Sequence, residues 1–289
     1  MILKTVKEDL AVLMMVIKML KKRIISSIIG ILILIILVFS GSFIFFLTVS
    51  AIALLGIIEY CRMLKFEATI LKSILNFSTV LIVFNSFLLS NDYRHLPYGI
   101  ILFIIIILLY FYNIYNYEEG LFVKNISYQF FGLIYIAGGL SFAIFLRDFT
   151  IGPFFNTSAL WFVLIATWVT DSGAYFIGKK YGKKAMAPVI SPNKTVAGAF
   201  GGIATAILFI ISVTLIFDFF NIYWLLFSLF FPVVAIMGDL FESCLKRDFN
   251  VKDTGSIIPG HGGILDRFDS FIFTAPLTYY FLYLLMVVN

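Results

Sequence analysis

Apolar residues fall in nine long blocks separated by short polar stretches. The blocks are Ile24–Phe39, Ser42–Tyr60, Leu71–Leu89, Tyr98–Tyr115, Tyr128–Leu146, Ala159–Ile177, Ala197–Phe217, Ile222–Cys244 and Phe268–Val288. Most are long enough to cross about 30 Å of hydrocarbon as a helix rising about 1.5 Å per residue. The first is short and reads as one arm of a helical hairpin with the second. Residues 1–23 are interrupted by Lys4, Lys7, Glu8 and Lys18 and read as an amphipathic helix on the membrane surface. Their apolar stretch, Ala11–Leu20, ends in Lys21-Lys22-Arg23, not in the small residues of a signal-peptide cleavage site. No repeat of fixed period interrupts the pattern.

Composition agrees. The chain is 62% hydrophobic and 13% charged, against roughly 45–50% and about 25% in soluble domains. So little charge could not solvate a water-soluble surface, and disordered and fibrous classes are excluded by the same figures. The predicted fold is all-α, a polytopic transmembrane helical bundle of about nine membrane segments with a cytoplasmic N-terminus. Three regions are expected: the interfacial helix 1–23, N-terminal transmembrane helices over 24–150, and a C-terminal transmembrane catalytic region over 151–289. Cys61 and Cys244 read as small apolar filler with no disulfide role.

The net charge of +5 acquires meaning from its placement. With nine spans and the N-terminus inside, all but two of the 21 Lys and Arg fall in cytoplasmic segments, the exceptions being Arg94 and Arg147. The basic charge therefore faces anionic lipid or an anionic substrate, and nucleic acid is excluded as a partner.

The first half offers little chemistry. Glu59, near Arg62 and Lys65 at the inner end of the second span, reads as structural or interfacial. In the second half ionisable residues lie within or against spans, where they are costly and point to function. Asp171 shares a helix face with Thr167, Tyr175 and Gly178. The next loop, Gly178-Lys179-Lys180-Tyr181-Gly182-Lys183-Lys184 through Ser191-Pro192-Asn193-Lys194-Thr195, holds five lysines and no acid. It suits either a polyphosphate or anionic lipid headgroups. Thr195 is placed to cap the helix that follows. Asp239, Glu242, Ser243 and Lys246 share one face at i, i+3, i+4, i+7 spacing, and Asp266 and Asp269 share another. Carboxylates beside lysines and a glycine loop suit a hard cation with phosphate as co-ligand; intramembrane pairing of Asp266 with Lys246 or Arg247 is the structural alternative. His261 and His95 do not make a zinc site.

The run Ser243-Cys244-Leu245-Lys246-Arg247, Lys252-Asp253, Pro259-Gly260-His261-Gly262-Gly263 and Asp266-Arg267-Phe268-Asp269 spans 27 positions. It resembles the signature of phosphatidate cytidylyltransferases, also called CDP-diacylglycerol synthases. Asp171-Ser172-Gly173-Ala174-Tyr175, the lysine-glycine loop and Ser191-Pro192-Asn193-Lys194-Thr195 resemble other blocks of that family. The family usually has Glu two residues after that Thr, where this chain has Ala197. The resemblance implies an integral protein of the bacterial plasma membrane, its site facing the cytoplasm. It would join CTP and phosphatidic acid into CDP-diacylglycerol and pyrophosphate with Mg2+, alone or with a second cation, as a homodimer among membrane lipids. It also implies Asp239, Asp266 and Asp171 as metal ligands, and Asp239, Asp266, Asp269, Lys246 and Arg247 as the catalytic set. Substrate would be held by Lys179, Lys183, Ser191, Lys194, Thr195, Ser243, His261, Gly262, Gly263 and Arg267. The competing classes are a transporter, which would place its acids near the bilayer midplane, a CTP-using lipid kinase, and a non-catalytic scaffold, which would have no use for the acids.

Overall fold

The computed structural model describes residues 28–151, 159–257 and 262–288. The surface helix expected over residues 1–23 and the loop residue His261 lie outside them. The first apolar block is seen from Ile28 onward as a short apolar helix, α1 (Ile28–Phe39). Then come α2 (Ser42–Met63), α3 (Thr69–Ser90) and α4 (Tyr98–Tyr115). The fifth helix, α5 (Phe122–Asp148), is continuous through a π-helical turn at Leu133–Gly138. The second half contains α6 (Ala159–Tyr181), α7 (Val196–Ile216), α8 (Ile222–Asp248), the single turn α9 (Leu265–Phe268) and α10 (Phe271–Val288).

Among the described residues eight helical segments are long and apolar enough to cross a membrane, with α9 and α10 counted as one. The polytopic helical bundle is therefore as expected, with α1 as a shorter ninth apolar helix. One element departs from the all-helical expectation. The lysine-rich segment after α6 folds into an antiparallel hairpin, β1 (Ala185–Ala187) and β2 (Ser191–Thr195), pairing Ala185 with Thr195 and Ala187 with Ser191. Thr195 closes it as expected: its Oγ1 accepts from Gly198 N at 3.1 Å and caps α7.

Aromatic and polar contacts fix the helices that carry the polar residues. Tyr135 on α5, Phe241 on α8 and Phe273 on α10 meet with ring centroids 5.3–5.8 Å apart. Toward the other end of α8 and α10, Trp224 and Phe227 pack on Phe281 at 4.9 and 4.3 Å. Several polar groups inside the spans are paired with one another or with backbone carbonyls, as a medium without water favours. Asn113 donates to Gln129 at 2.7 Å, joining α4 to α5. Arg147 donates to the carbonyls of Val38 and Ser40 at the end of α1, the Val38 contact being 3.0 Å.

The tightest helix pair is α6–α7, and glycine makes it so. A Cβ on Gly202 would stand 2.8 Å from the Thr170 carbonyl oxygen, a backbone atom that cannot turn aside. Small residues at such crossings let membrane helices approach closely. Gly202→Val is therefore expected to destabilise the protein by about 1–3 kcal/mol, read as a lower thermal midpoint in detergent. The same substitution at lipid-exposed Leu208 is expected to leave the midpoint unchanged; equal midpoints in the two variants would contradict this packing.

Candidate active site

The polar candidates of the second half converge at one end of the bundle, where α6 and α8 end and α9 begins. A cavity of about 400 Å³ lies there. Five aspartates line it: Asp171 from α6, Asp239 from α8, Asp253, Asp266 and Asp269. Lys246 and Arg267 complete its polar wall, and Trp168, one turn before Asp171, forms an apolar side. A second cavity of about 580 Å³ lies between α6, the hairpin and α7. Lys179, Ser191, Asn193, Lys194 and Thr195 line its polar side, and Ala174, Tyr175 and Ile236 its apolar side. Asp171 and Asp239 belong to both walls.

The single face expected for Asp239, Glu242, Ser243 and Lys246 divides between two partners. Lys194, reaching from β2, sits 2.5 Å from Asp239 Oδ1 and donates to Ser243 Oγ at 3.4 Å. Lys246 donates to Glu242 Oε2 at 3.2 Å and to Asp266 Oδ1 at 2.8 Å. The structural alternative thus holds for Lys246. Arg247 takes no part in it, and instead donates Nε to Ile190 O at 3.0 Å, pinning the hairpin to the end of α8.

Asp266 differs from its neighbours in having both oxygens engaged. Beyond Lys246, its Oδ2 accepts from Thr254 N at 3.0 Å, Thr254 Oγ1 at 3.0 Å and Gly263 N at 2.8 Å. The carboxylate acts as the hub of the glycine loop. Gly262 has φ of +86°, the left-handed region that favours glycine. Gly263 is tightly enclosed: a Cβ there would strike Thr254 Oγ1 and the Glu59 carboxylate.

Asp171, Lys179, Ser191, Lys194, Thr195, Asp239, Lys246, Asp266, Arg267 and Asp269 line one or both cavities. Ser243 stands behind them on Lys194. Lys183 is exposed and does not line either cavity. Thr167 is buried, bonding to Val163 O and Thr274 Oγ1, and belongs to helix packing.

Three residues have a larger part in the structure than the sequence reading gave them. Trp168 could have been found from its i−3 spacing to Asp171, and Asp253 from its place in the signature run. Glu59, read as structural or interfacial, holds the loop that carries Asp266. It is fully buried, and its oxygens accept from Ile264 N at 2.9 Å, Leu265 N at 3.1 Å and Thr254 Oγ1 at 3.1 Å. An acid at the end of an apolar run was the available signal.

A bundle of membrane-spanning helices with carboxylates, ammonium groups and a glycine loop gathered at one end defines a class: integral membrane proteins with a site for phosphate-bearing substrates. Residues 21–285 match the cytidylyltransferase family. The chain is 35% identical over 274 residues to the phosphatidate cytidylyltransferase of Bacillus subtilis strain 168, covering 91% of this chain and 97% of that protein. It is 49% identical over 118 residues to the phosphatidate cytidylyltransferase of Staphylococcus epidermidis strain RP62A, covering 40% of this chain and 45% of that protein. The Staphylococcus aureus strain COL protein of that name is 47% identical over 118 residues, with the same coverage. The chain belongs to the phosphatidate cytidylyltransferase family, a family of nucleotidyltransferases.

Proposed function

We propose that this protein transfers the cytidylyl group of CTP to phosphatidic acid, giving CDP-diacylglycerol and pyrophosphate. The observation that carries this reading is the pair of cavities sharing Asp171 and Asp239. One is strongly acidic and the other is lysine-bearing with an apolar side, so two phosphate-bearing substrates would meet across a common carboxylate wall.

Mg2+ is the cofactor of this reading, and the donor chemistry fits it. The acidic cavity offers carboxylate oxygens, with no thiol or imidazole among its described lining residues. Among the described residues no three Asp, Glu, His or Cys side chains form a closed ligand set. Mg2+ does not need one, because it binds through one or two carboxylates together with substrate phosphates and waters. Glu242 Oε1 is buried beside the cavity without a hydrogen-bond partner among the described residues. Asp239 would hold the ion, with Asp171, or Asp266 on releasing Lys246, as the second carboxylate. When bound, the ion supplies charge neutralisation at the phosphate oxygens.

The chain's own residues have positioning and electrostatic work, which is what nucleotidyl transfer mainly needs. A phosphate oxygen of phosphatidic acid attacks the α-phosphorus of CTP. The new P–O bond forms as the bond from the α-phosphorus to the α–β bridging oxygen breaks, and its electron pair leaves with pyrophosphate. Lys194 and Lys246 exchange their carboxylate partners for phosphate oxygens, and Arg267 faces the same cavity. Thr195 and Ser191 offer hydroxyls to the lysine-bearing side. No covalent enzyme intermediate is required.

The test is purified protein in detergent with phosphatidic acid, Mg2+ and cytidine-labelled CTP. Label is expected in an organic-soluble lipid, with an Asp266→Ala preparation as the blank. No lipid-soluble label above that blank would overturn the reading. The site is proposed to face the cytoplasm, from the sorting of the basic residues. With Cys61 and Cys244 replaced by Ser, Lys183→Cys is expected to react with an impermeant maleimide in inside-out vesicles and not in right-side-out vesicles. The reverse pattern would invert the topology.

A further inference from the structure

The loop that carries Asp266 is held from the other half of the chain. Glu59 lies on α2, wholly buried, and among the described residues it forms no salt bridge. Its charge is met by dipoles alone: Ile264 N at 2.9 Å, Leu265 N at 3.1 Å and the Thr254 hydroxyl at 3.1 Å. The two amides are at the start of α9, where backbone donors lack helical acceptors. Two glycines are shaped to this carboxylate, since a Cβ at Gly255 or Gly263 would run into it.

The Thr254 hydroxyl links this acid to the site. Oγ1 stands 3.1 Å from Glu59 Oε2 and 3.0 Å from Asp266 Oδ2. A hydroxyl has one proton to give, so it bonds one ionised carboxylate at a time. A tie between two helices would not need an ionised acid inside a span, where isosteric apolar or amide packing serves at lower cost. Its oxygens fall on the backbone that sets the direction of Asp266.

We propose that Glu59 is a positioning residue for cytidylyl transfer: it fixes the Gly263–Leu265 backbone, and Thr254 passes its hydrogen bond to Glu59 when Asp266 turns from Lys246 toward the cavity. This deepens the function proposed above and rests on it. Glu59 touches neither cavity, so it acts through Asp266.

The experiment compares Glu59→Gln, Thr254→Val and Thr254→Ser with the unmodified protein in the labelled-CTP assay, with hydrogen exchange at the Ile264 and Leu265 amides. Glutamine keeps the shape of glutamate but turns an NH2 toward a donor. Its kcat per folded molecule is expected to fall about tenfold or more, while the KM for CTP changes little and exchange at the two amides accelerates. Thr254→Val is expected to lower kcat, and Thr254→Ser, which keeps the hydroxyl, to restore it. Normal kcat and unchanged amide exchange in folded Glu59→Gln would overturn the proposal. If Glu59→Gln does not fold, Thr254→Val decides, and full activity in that variant overturns it. If the unmodified protein makes no CDP-diacylglycerol, the functional reading fails and this one fails with it; an active unmodified protein with an indifferent Glu59→Gln sinks only the positioning role.

Discussion

Asp239→Asn is expected to lower turnover by about 10²–10³-fold, the effect of removing one preorganised electrostatic group from a transition state, while the protein remains folded. Asp239 is on the wall of both cavities, a place it shares among the described residues with Asp171 alone. Its side chain is 33% exposed and its partner is Lys194 at 2.5 Å, so the substitution leaves no buried charge stranded and the thermal midpoint should hold. Loss of the carboxylate removes an oxygen donor from the point where the substrates meet and leaves Lys194 with Ser243 alone. Turnover and thermal midpoint are measured on the same preparation. Near-normal turnover would remove Asp239 from the catalytic set.

Lys246→Met is expected to affect stability as well as activity. Its ammonium group lies between Glu242 and Asp266, whose side chains are 1% and 6% exposed. Removing it leaves two buried carboxylates without their cation, and breaking a buried pair in this way costs about 3–5 kcal/mol. Most of that is the penalty of the stranded charge, so adding Glu242→Gln should restore part of the stability. Activity should not return, because the phosphate-neutralising group is still missing. Denaturation midpoints of the single and double variants, with their turnover, separate the two effects. A single variant as stable as the unmodified protein would show that the pair does not carry the load described here.

What could be read from the sequence was local. The helical spacing that put Asp239, Glu242, Ser243 and Lys246 on one face is a property of a single helix, and α8 bears it out by running unbroken through all four. The same holds for Thr195, whose cap is closed by Gly198 three residues away. The division of that face between Lys194 and Asp266 was not legible, because it depends on where β2 and α9 arrive in space. The hairpin was hidden for another reason. Its strands have three and five residues, Ala-Met-Ala and Ser-Pro-Asn-Lys-Thr, with no alternation to mark a buried side. Glu59 was the hardest case. Its partners Ile264 and Leu265 lie 205 and 206 residues further along, so nothing near it in the chain announced the loop it holds. The purpose of Gly263 was obscured with it, since the space that glycine leaves is filled by a side chain from the other half of the protein.

The central claim is that the α-phosphate of CTP moves to a lipid phosphate. The most direct measurement gives the purified protein phosphatidic acid, Mg2+ and CTP labelled separately at the α- and γ-phosphates. Label from the α-position is expected to enter the organic-soluble lipid, and label from the γ-position to appear in pyrophosphate. A lipid kinase would instead carry γ-label into the lipid, and a transporter would leave both labels in CTP; either result would contradict the account.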